Sequence, residues 1–227
     1  MKRIFIALLF LTGTITNSFA EVGAKIGITA ALGYFETSAS EKEDSETSAS
    51  KDAEGLGAFG AIFLEKELTD VVSVGVEYTP TAFETEESTH LQTDQKGKSS
   101  GAAATQTQKA QVDFTNLMTV YAMARPGNID GLYLKAGYVQ VDVETNETLG
   151  TGSTYPNSDM DGFTLGVGID RDLPNGAFVR AEGSYMQLGG ITVTSSNNTA
   201  NSVTTDDVDG LLVKMSVGKA FSLKTSI

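Results

Sequence analysis

The sequence predicts an all-β chain folded as an eight-stranded antiparallel up-and-down transmembrane β-barrel. Three observations carry the prediction. β-forming residues recur in period two along eight stretches, the links between stretches alternate short and long, and an export signal precedes them.

The export signal comes first in the chain. Lys2 and Arg3 form a basic start, Ile4 to Leu11 is an uncharged apolar run, and Ser18-Phe19-Ala20 places small residues where a signal peptidase reads. The apolar run is too short to cross a bilayer as a helix, which takes about 20 residues. Residues 1–20 are therefore expected to be a cleaved signal peptide, and Glu21 to open a single barrel domain over 21–227.

Composition narrows the function classes. The chain carries 16 Lys and Arg against 29 Asp and Glu, a net charge of −13, and loss of Lys2 and Arg3 makes the remainder more acidic still. An acidic surface repels nucleic acid, so no nucleic-acid partner is expected. Cysteine is absent, so an exported chain of this kind must be held by its own sheet and core. One His and no Cys leave few ligand sets for a transition metal, and no cofactor is expected.

The strands are read in order from their two faces. Over 24–35, Ile26, Ile28, Ala30, Leu32 and Tyr34 alternate with Lys25, Gly27, Thr29, Ala31 and Gly33. An apolar face beside a small or polar one suits lipid outside and a crowded polar lumen inside. The stretch 55–65 is apolar on both phases, and its faces stay unassigned. Over 71–80, Val72, Val74, Val76 and Tyr78 alternate with Ser73, Gly75, Glu77 and Thr79. Over 110–124 the outward set is Val112, Phe114, Met118, Val120 and Ala122, with Asn116 as an exception, and the opposite phase places Asp113 inward. Over 131–143, Leu132, Leu134, Ala136 and Tyr138 face out, and Tyr133, Lys135 and Gly137 face in. Over 161–171, Phe163, Leu165, Val167 and Ile169 alternate with Thr164, Gly166, Gly168 and Asp170. Over 177–189, Val179, Ala181, Gly183 and Tyr185 alternate with Phe178, Arg180, Glu182 and Ser184. The last stretch, 210–221, sets Leu211, Val213, Met215, Val217, Lys219 and Phe221 against Leu212, Lys214, Ser216, Gly218 and Ala220.

The links sort by length. Short turns are expected at 66–70, 125–130 and 172–176, the last with the tight-turn pair Asn175-Gly176. Long polar loops are expected at 36–54, 81–109, 144–160 and 190–209. Short links on one side and long loops on the other are the mark of a barrel whose long loops face outward from the cell. The first loop holds a direct repeat, Glu36-Thr37-Ser38-Ala39-Ser40 and Glu46-Thr47-Ser48-Ala49-Ser50. It reads either as a variable surface arm or as neutral expansion of solvated loop.

Charges on the inward phase form the candidate site. Lys25, Lys135, Arg180 and Lys214 face Glu77, Asp113, Asp170 and Glu182. An eight-stranded barrel is just wide enough inside for side chains, so these charges must pair or be solvated. They form either a salt-bridge plug or a narrow gated ion path. Two acidic runs, Asn157-x-Asp159-x-Asp161-Gly162 and Asp207-x-Asp209-Gly210, lack the closing Glu of a calcium loop and read as turn residues. His90 stands in a polar stretch beside Ser88 and Thr89, with no third group to organise a nucleophile, so no enzymatic activity is expected.

The export signal, the eight alternating strands, the sorted loops and a final strand reaching Phe221 resemble the small OmpA-like and opacity-protein-like outer-membrane barrels. The most local element is Asp113-Phe114-Thr115-Asn116-Leu117-Met118 running on to Tyr121, similar to a mid-barrel strand in such families. The resemblance covers the mature chain and is architectural. It implies residence in the outer membrane of a Gram-negative cell, with outer-membrane lipid and the barrel-assembly machinery as partners. It implies Phe221 as the terminal aromatic of the assembly signal. Here Phe221 is followed by Ser222 to Ile227, with Leu223 and Ile227 in the same outward phase, so the signal ends on Phe221 or on Ile227. The function expected is non-enzymatic: acidic surface loops presented to an unknown extracellular ligand, with a role in envelope integrity. A narrow porin-like channel for ions or small solutes and a soluble exported β-barrel binding protein are the alternatives.

Overall fold

The computed structural model describes residues 22–43, 46–84, 88–94, 104–148 and 153–223. The signal peptide expected over 1–20 and the terminal Ile227 lie outside the described residues. The strands are β1 (Val22–Glu43), β2 (Glu46–Glu67), β3 (Val72–Glu84), β4 (Ser88–Asp94), β5 (Ala104–Ala124), β6 (Leu132–Thr148), β7 (Ser158–Asp172), β8 (Ala177–Leu188), β9 (Ile191–Thr194), β10 (Ser202–Thr205) and β11 (Val208–Leu223).

Eight of these form the barrel. β1, β2, β3, β5, β6, β7, β8 and β11 pair antiparallel in sequence order, and β11 closes on β1 from Val22↔Leu223 to Glu36↔Asp209. Closure leaves the barrel's first and last strands without a bare edge against lipid. The other three strands are additions above it. β4 continues the ladder on β5, and the β9–β10 hairpin rides on the far end of β1 through Ala39↔Thr205 to Lys42↔Ser202.

The outer wall is apolar because period two puts every second side chain outside. Ile28, Leu32, Ile62, Leu134, Leu165, Val213 and Met215 are each more than half exposed. The upper limit of this band is marked by tyrosines whose hydroxyls reach polar partners. Tyr34 donates to Glu54, Tyr185 to Asp209, and Tyr78 to Asn116 Oδ1 at 2.7 Å. The turns opposite are short: 68–71, 125–131 and 173–176. Asn175 and Gly176 both take positive φ, 71° and 72°, as a tight hairpin turn requires.

Three expectations change. First, β2 has a definite phase: Gly57, Phe59, Ala61, Phe63 and Glu65 point in, and Leu56, Ala58, Gly60, Ile62 and Leu64 point out. Second, β5 changes phase within its length. Asn116 adopts φ 52°, and the register to β6 jumps from Thr115↔Asp142 to Met118↔Gln140, so Asn116 and Leu117 oppose one residue. This is a β-bulge, which inverts the faces beyond it. Leu117, Thr119, Tyr121 and Met123 are inward on one side of the bulge and Phe114 on the other. Phe114 is therefore inside, and Asp113 is not.

Third, much of the segments expected to be long loops is sheet. β1 and β2 stay paired through Glu43↔Glu46, so most of 36–54 is a hairpin arm that includes both copies of the repeat. β5 and β6 pair as far as Lys109↔Thr148. Above the apolar band both faces meet water, so alternation disappears from the sequence while the backbone ladder continues. His90 lies in β4, opposite Gln108. Asn157-x-Asp159-x-Asp161 leads into β7, where Asp159 and Asp161 share one strand face and do not wrap a common centre.

Candidate functional site: a plugged lumen beneath an acidic rim

The lumen has two levels. The lower one is charged because small inward residues leave room for long side chains from opposite walls. Lys25, Glu65, Glu77, Lys135, Asp170, Arg180, Glu182 and Lys214 are all at most 8% exposed.

These charges form two linked clusters. Near the short turns, Arg180 Nη1 lies 3.1 Å from Glu65 Oε2 and Nη2 lies 3.5 Å from Asp170 Oδ2. Lys25 Nζ is 3.5 Å from the same Asp170 oxygen and 3.7 Å from Glu67 Oε1. Arg125 enters from the turn after β5, donating to Ser73 Oγ at 2.7 Å, Glu65 Oε1 at 3.1 Å and Asp170 Oδ2 at 3.2 Å. Burial alone would lower the Arg125 pKa, but Asp170 and Glu65 outweigh it and hold it above its ordinary value, so the group stays charged. Above this, Lys214 Nζ donates to Glu77 Oε1 at 2.7 Å, and Lys135 Nζ lies 3.2 Å from Glu182 Oε1 and 3.6 Å from Glu77 Oε2.

Aromatic rings join the two clusters. Tyr133 donates to Glu182 Oε2 at 2.9 Å and Tyr121 to Glu65 Oε2 at 3.3 Å. The Arg180 guanidinium sits 5.1 Å from the Tyr133 ring centre and 5.4 Å from those of Phe63 and Phe178, and Lys135 lies 4.6 Å over Tyr121. Cations held over ring faces gain further attraction where water is excluded.

Seven of the eight charges expected in the lumen meet there. Asp113 does not. It accepts from Asn146 Nδ2 at 2.6 Å and from Gln111 Nε2 at 3.1 Å, because the bulge at Asn116 turned its side chain away. The sequence reading also missed Glu65, whose strand has two apolar phases, and Arg125, which follows a strand as the first residue of a turn. The four inward cations and four inward carboxylates of the sequence reading balance, so charge counting gave no signal for a further buried carboxylate.

The upper level is apolar. Phe35, Phe59, Phe114, Leu117, Met186 and Leu212 belong to one buried cluster. Phe83 stacks between Phe35 and Phe114, with ring centres 4.7 Å and 4.3 Å away. Above it the sheet rises into a rim. A cleft of about 1040 Å³ there is lined by Glu36, Asp52, Glu54, Asp206, Asp207 and Asp209, among others. The β9–β10 hairpin is tied to the segment before β7, since Ser196 N donates to Thr154 O at 2.8 Å and Asn201 Nδ2 to Ser153 Oγ at 3.3 Å. Phe221 is half-exposed on the outer wall of β11.

Comparison with known proteins agrees with this architecture. The chain is similar to the outer membrane protein OprG of Pseudomonas aeruginosa, at 14% identity over 88% of this chain and 95% of that one, with a TM-score of 0.57. It is similar to the outer membrane protein AlkL in lipid bilayers, at 14% identity over 95% of this chain and 98% of that one, with a TM-score of 0.51. At these identities the likeness shows the fold. No curated protein matches in sequence. Residues 5–219 match the model of the outer membrane protein beta-barrel domain, and the chain belongs to that family.

Proposed function

We propose that this outer-membrane barrel is a non-enzymatic surface protein whose plugged lumen serves as an anchor and whose acidic rim meets an extracellular ligand. The observation that carries the reading is the contrast between the two ends of the molecule. Inside, the charges are paired across the lumen, as a packed plug requires. At the rim, carboxylates crowd one cleft, where like charge is destabilising unless a partner supplies the opposite sign. Envelope integrity, on this reading, comes from the rigid barrel. The chain is expected to reach the membrane through cleavage after Ala20 and to be assembled through its final strand, with Phe221 facing lipid.

The test is made on intact cells. Asp52→Asn, Glu54→Gln, Asp206→Asn and Asp207→Asn together are expected to abolish adhesion of expressing cells to a cationic polypeptide surface. Surface level and the heat-modifiable band on a gel should stay unchanged. Undiminished adhesion of the quadruple variant would remove the rim from the function.

A second reading, a narrow porin-like channel, has one observation on its side. The upper lumen is closed by the three-ring stack of Phe35, Phe83 and Phe114, which a change of rotamer would part. Steady conductance steps in a planar bilayer would support it, and flat traces at several salt concentrations would sink it.

A further inference from the structure

The ladder between β2 and β3 stops early. It runs from Glu67↔Ser73 to Ile62↔Tyr78, yet β2 continues to Glu46 and β3 to Glu84. Two features of β3 coincide with the stop. Extending the register sets Pro80 opposite Gly60, and proline has no N–H to give. Just beyond, β3 is irregular between Thr81 and Phe83. At Gly57 the neighbouring space is taken by Phe83, whose Cβ would stand 3.1 Å from a Cβ placed on that glycine.

Past Gly57 the edge has no strand partner among the described residues. Residues 50–56 of β2 are exposed, and they remain laddered to β1 from Tyr34↔Leu56 to Ser40↔Ser50. Among the described residues no strand pairs on their other side. A strand held on one side presents alternate N–H and C=O groups on the other, a ready template for an added strand.

The chemistry of the edge selects the occupant. Asp52 and Glu54 share a strand face with Glu36, its neighbour across the ladder at Glu54, and line the cleft with Asp206, Asp207 and Asp209. A second copy of this chain would set carboxylates against carboxylates, which disfavours self-pairing. An extended segment with a cation at every second position would place each one over that face.

We propose that the free edge of β2 over residues 50–56 takes up an extended, basic polypeptide segment as an additional strand. This deepens, and rests on, the reading of the rim as an interaction surface. Main-chain hydrogen bonds supply the pairing and the carboxylates supply the preference for positive side chains.

The test uses the mature chain folded in detergent micelles and a fluorescent ten-residue peptide of alternating Lys and Thr. A second peptide of equal charge carries N-methyl groups on alternate amides, which removes the donors of one edge. The unmethylated peptide is expected to bind at least tenfold more tightly and to slow amide hydrogen exchange at residues 50–56. Asp52→Asn with Glu54→Gln is expected to weaken both peptides, with the heat-modifiable band confirming a closed barrel. Equal affinity of the two peptides, or binding of neither, overturns strand addition. The cell-adhesion assay does not require a ladder. Lost adhesion in the quadruple variant, together with equal peptide affinities, would therefore overturn strand addition and leave the rim reading standing.

Discussion

Lys214 and Glu77 meet across the barrel interior, Nζ to Oε1 at 2.7 Å, although β11 and β3 share no edge. Each holds a second opposite charge, Glu182 at 3.9 Å for Lys214 and Lys135 at 3.6 Å for Glu77. The contact ties two non-adjacent strands together through the lumen.

Removing one partner leaves a buried charge short of compensation. Lys214→Met is expected to destabilise the barrel by about 3–5 kcal/mol. Adding Glu77→Leu should return much of that loss, because the pair leaves together. Urea unfolding in lipid vesicles, followed by the heat-modifiable band, measures the cycle. Strictly additive losses would mean that the two side chains are not coupled.

The bulge in β5 makes a prediction about backbone. Asn116 stands at φ 52°, where a β-branched side chain is strained. Asn116→Val is expected to cost roughly 1–2 kcal/mol more than Asn116→Gly, which loses the same contacts to Tyr78 and Asp142 but fits the backbone. Parallel unfolding curves of the two variants check it, and indistinguishable midpoints would argue against a left-handed residue at this position.

Two glycines separate a packed interior from an open wall. A Cβ on Gly168 would stand 2.4 Å from Ala181 O and 2.4 Å from Tyr133 Oη, whereas one on Gly183 meets nothing within 4 Å. Gly168→Ala is expected to destabilise by about 1–3 kcal/mol through overpacking. Gly183→Ala should be neutral or stabilising by up to about 1 kcal/mol. The same unfolding assay ranks them, and reversed order would place Gly168 on the wrong face of β7.

Topology gives the last prediction. With the short turns in the periplasm, protease added to intact cells is expected to cut within 81–109 and to spare 68–71 and 125–131. The laddered stretches 36–43, 46–54, 88–94 and 104–109 should be cut more slowly, since paired backbone resists a protease cleft. Fragment mapping by mass spectrometry reads the pattern, and cuts confined to the short turns would invert the orientation.

What the amino-acid sequence determined by itself is the class of fold and the sorting of its faces. Period two is local, and in β1, β3, β6, β7, β8 and β11 it placed Lys25, Glu77, Lys135, Asp170, Arg180, Glu182 and Lys214 inside from their immediate neighbours alone. Short turns and long excursions are local as well. The tertiary structure decided the rest, because those facts depend on partners distant in sequence. The phase of β2, and with it buried Glu65, is set by which neighbouring side chains must fit the lumen, since both of its faces are apolar. A single backbone residue at Asn116 inverted the phase of β5, moving Phe114 in and Asp113 out, a change that composition does not record. Arg125 joins the plug only because the turn carrying it folds back under Glu65 and Asp170. The arms above the membrane are sheet because backbone ladders need no apolar pattern, and among the described residues 50–56 of β2 lack a second partner beyond the point where the next strand carries Pro80 and turns irregular.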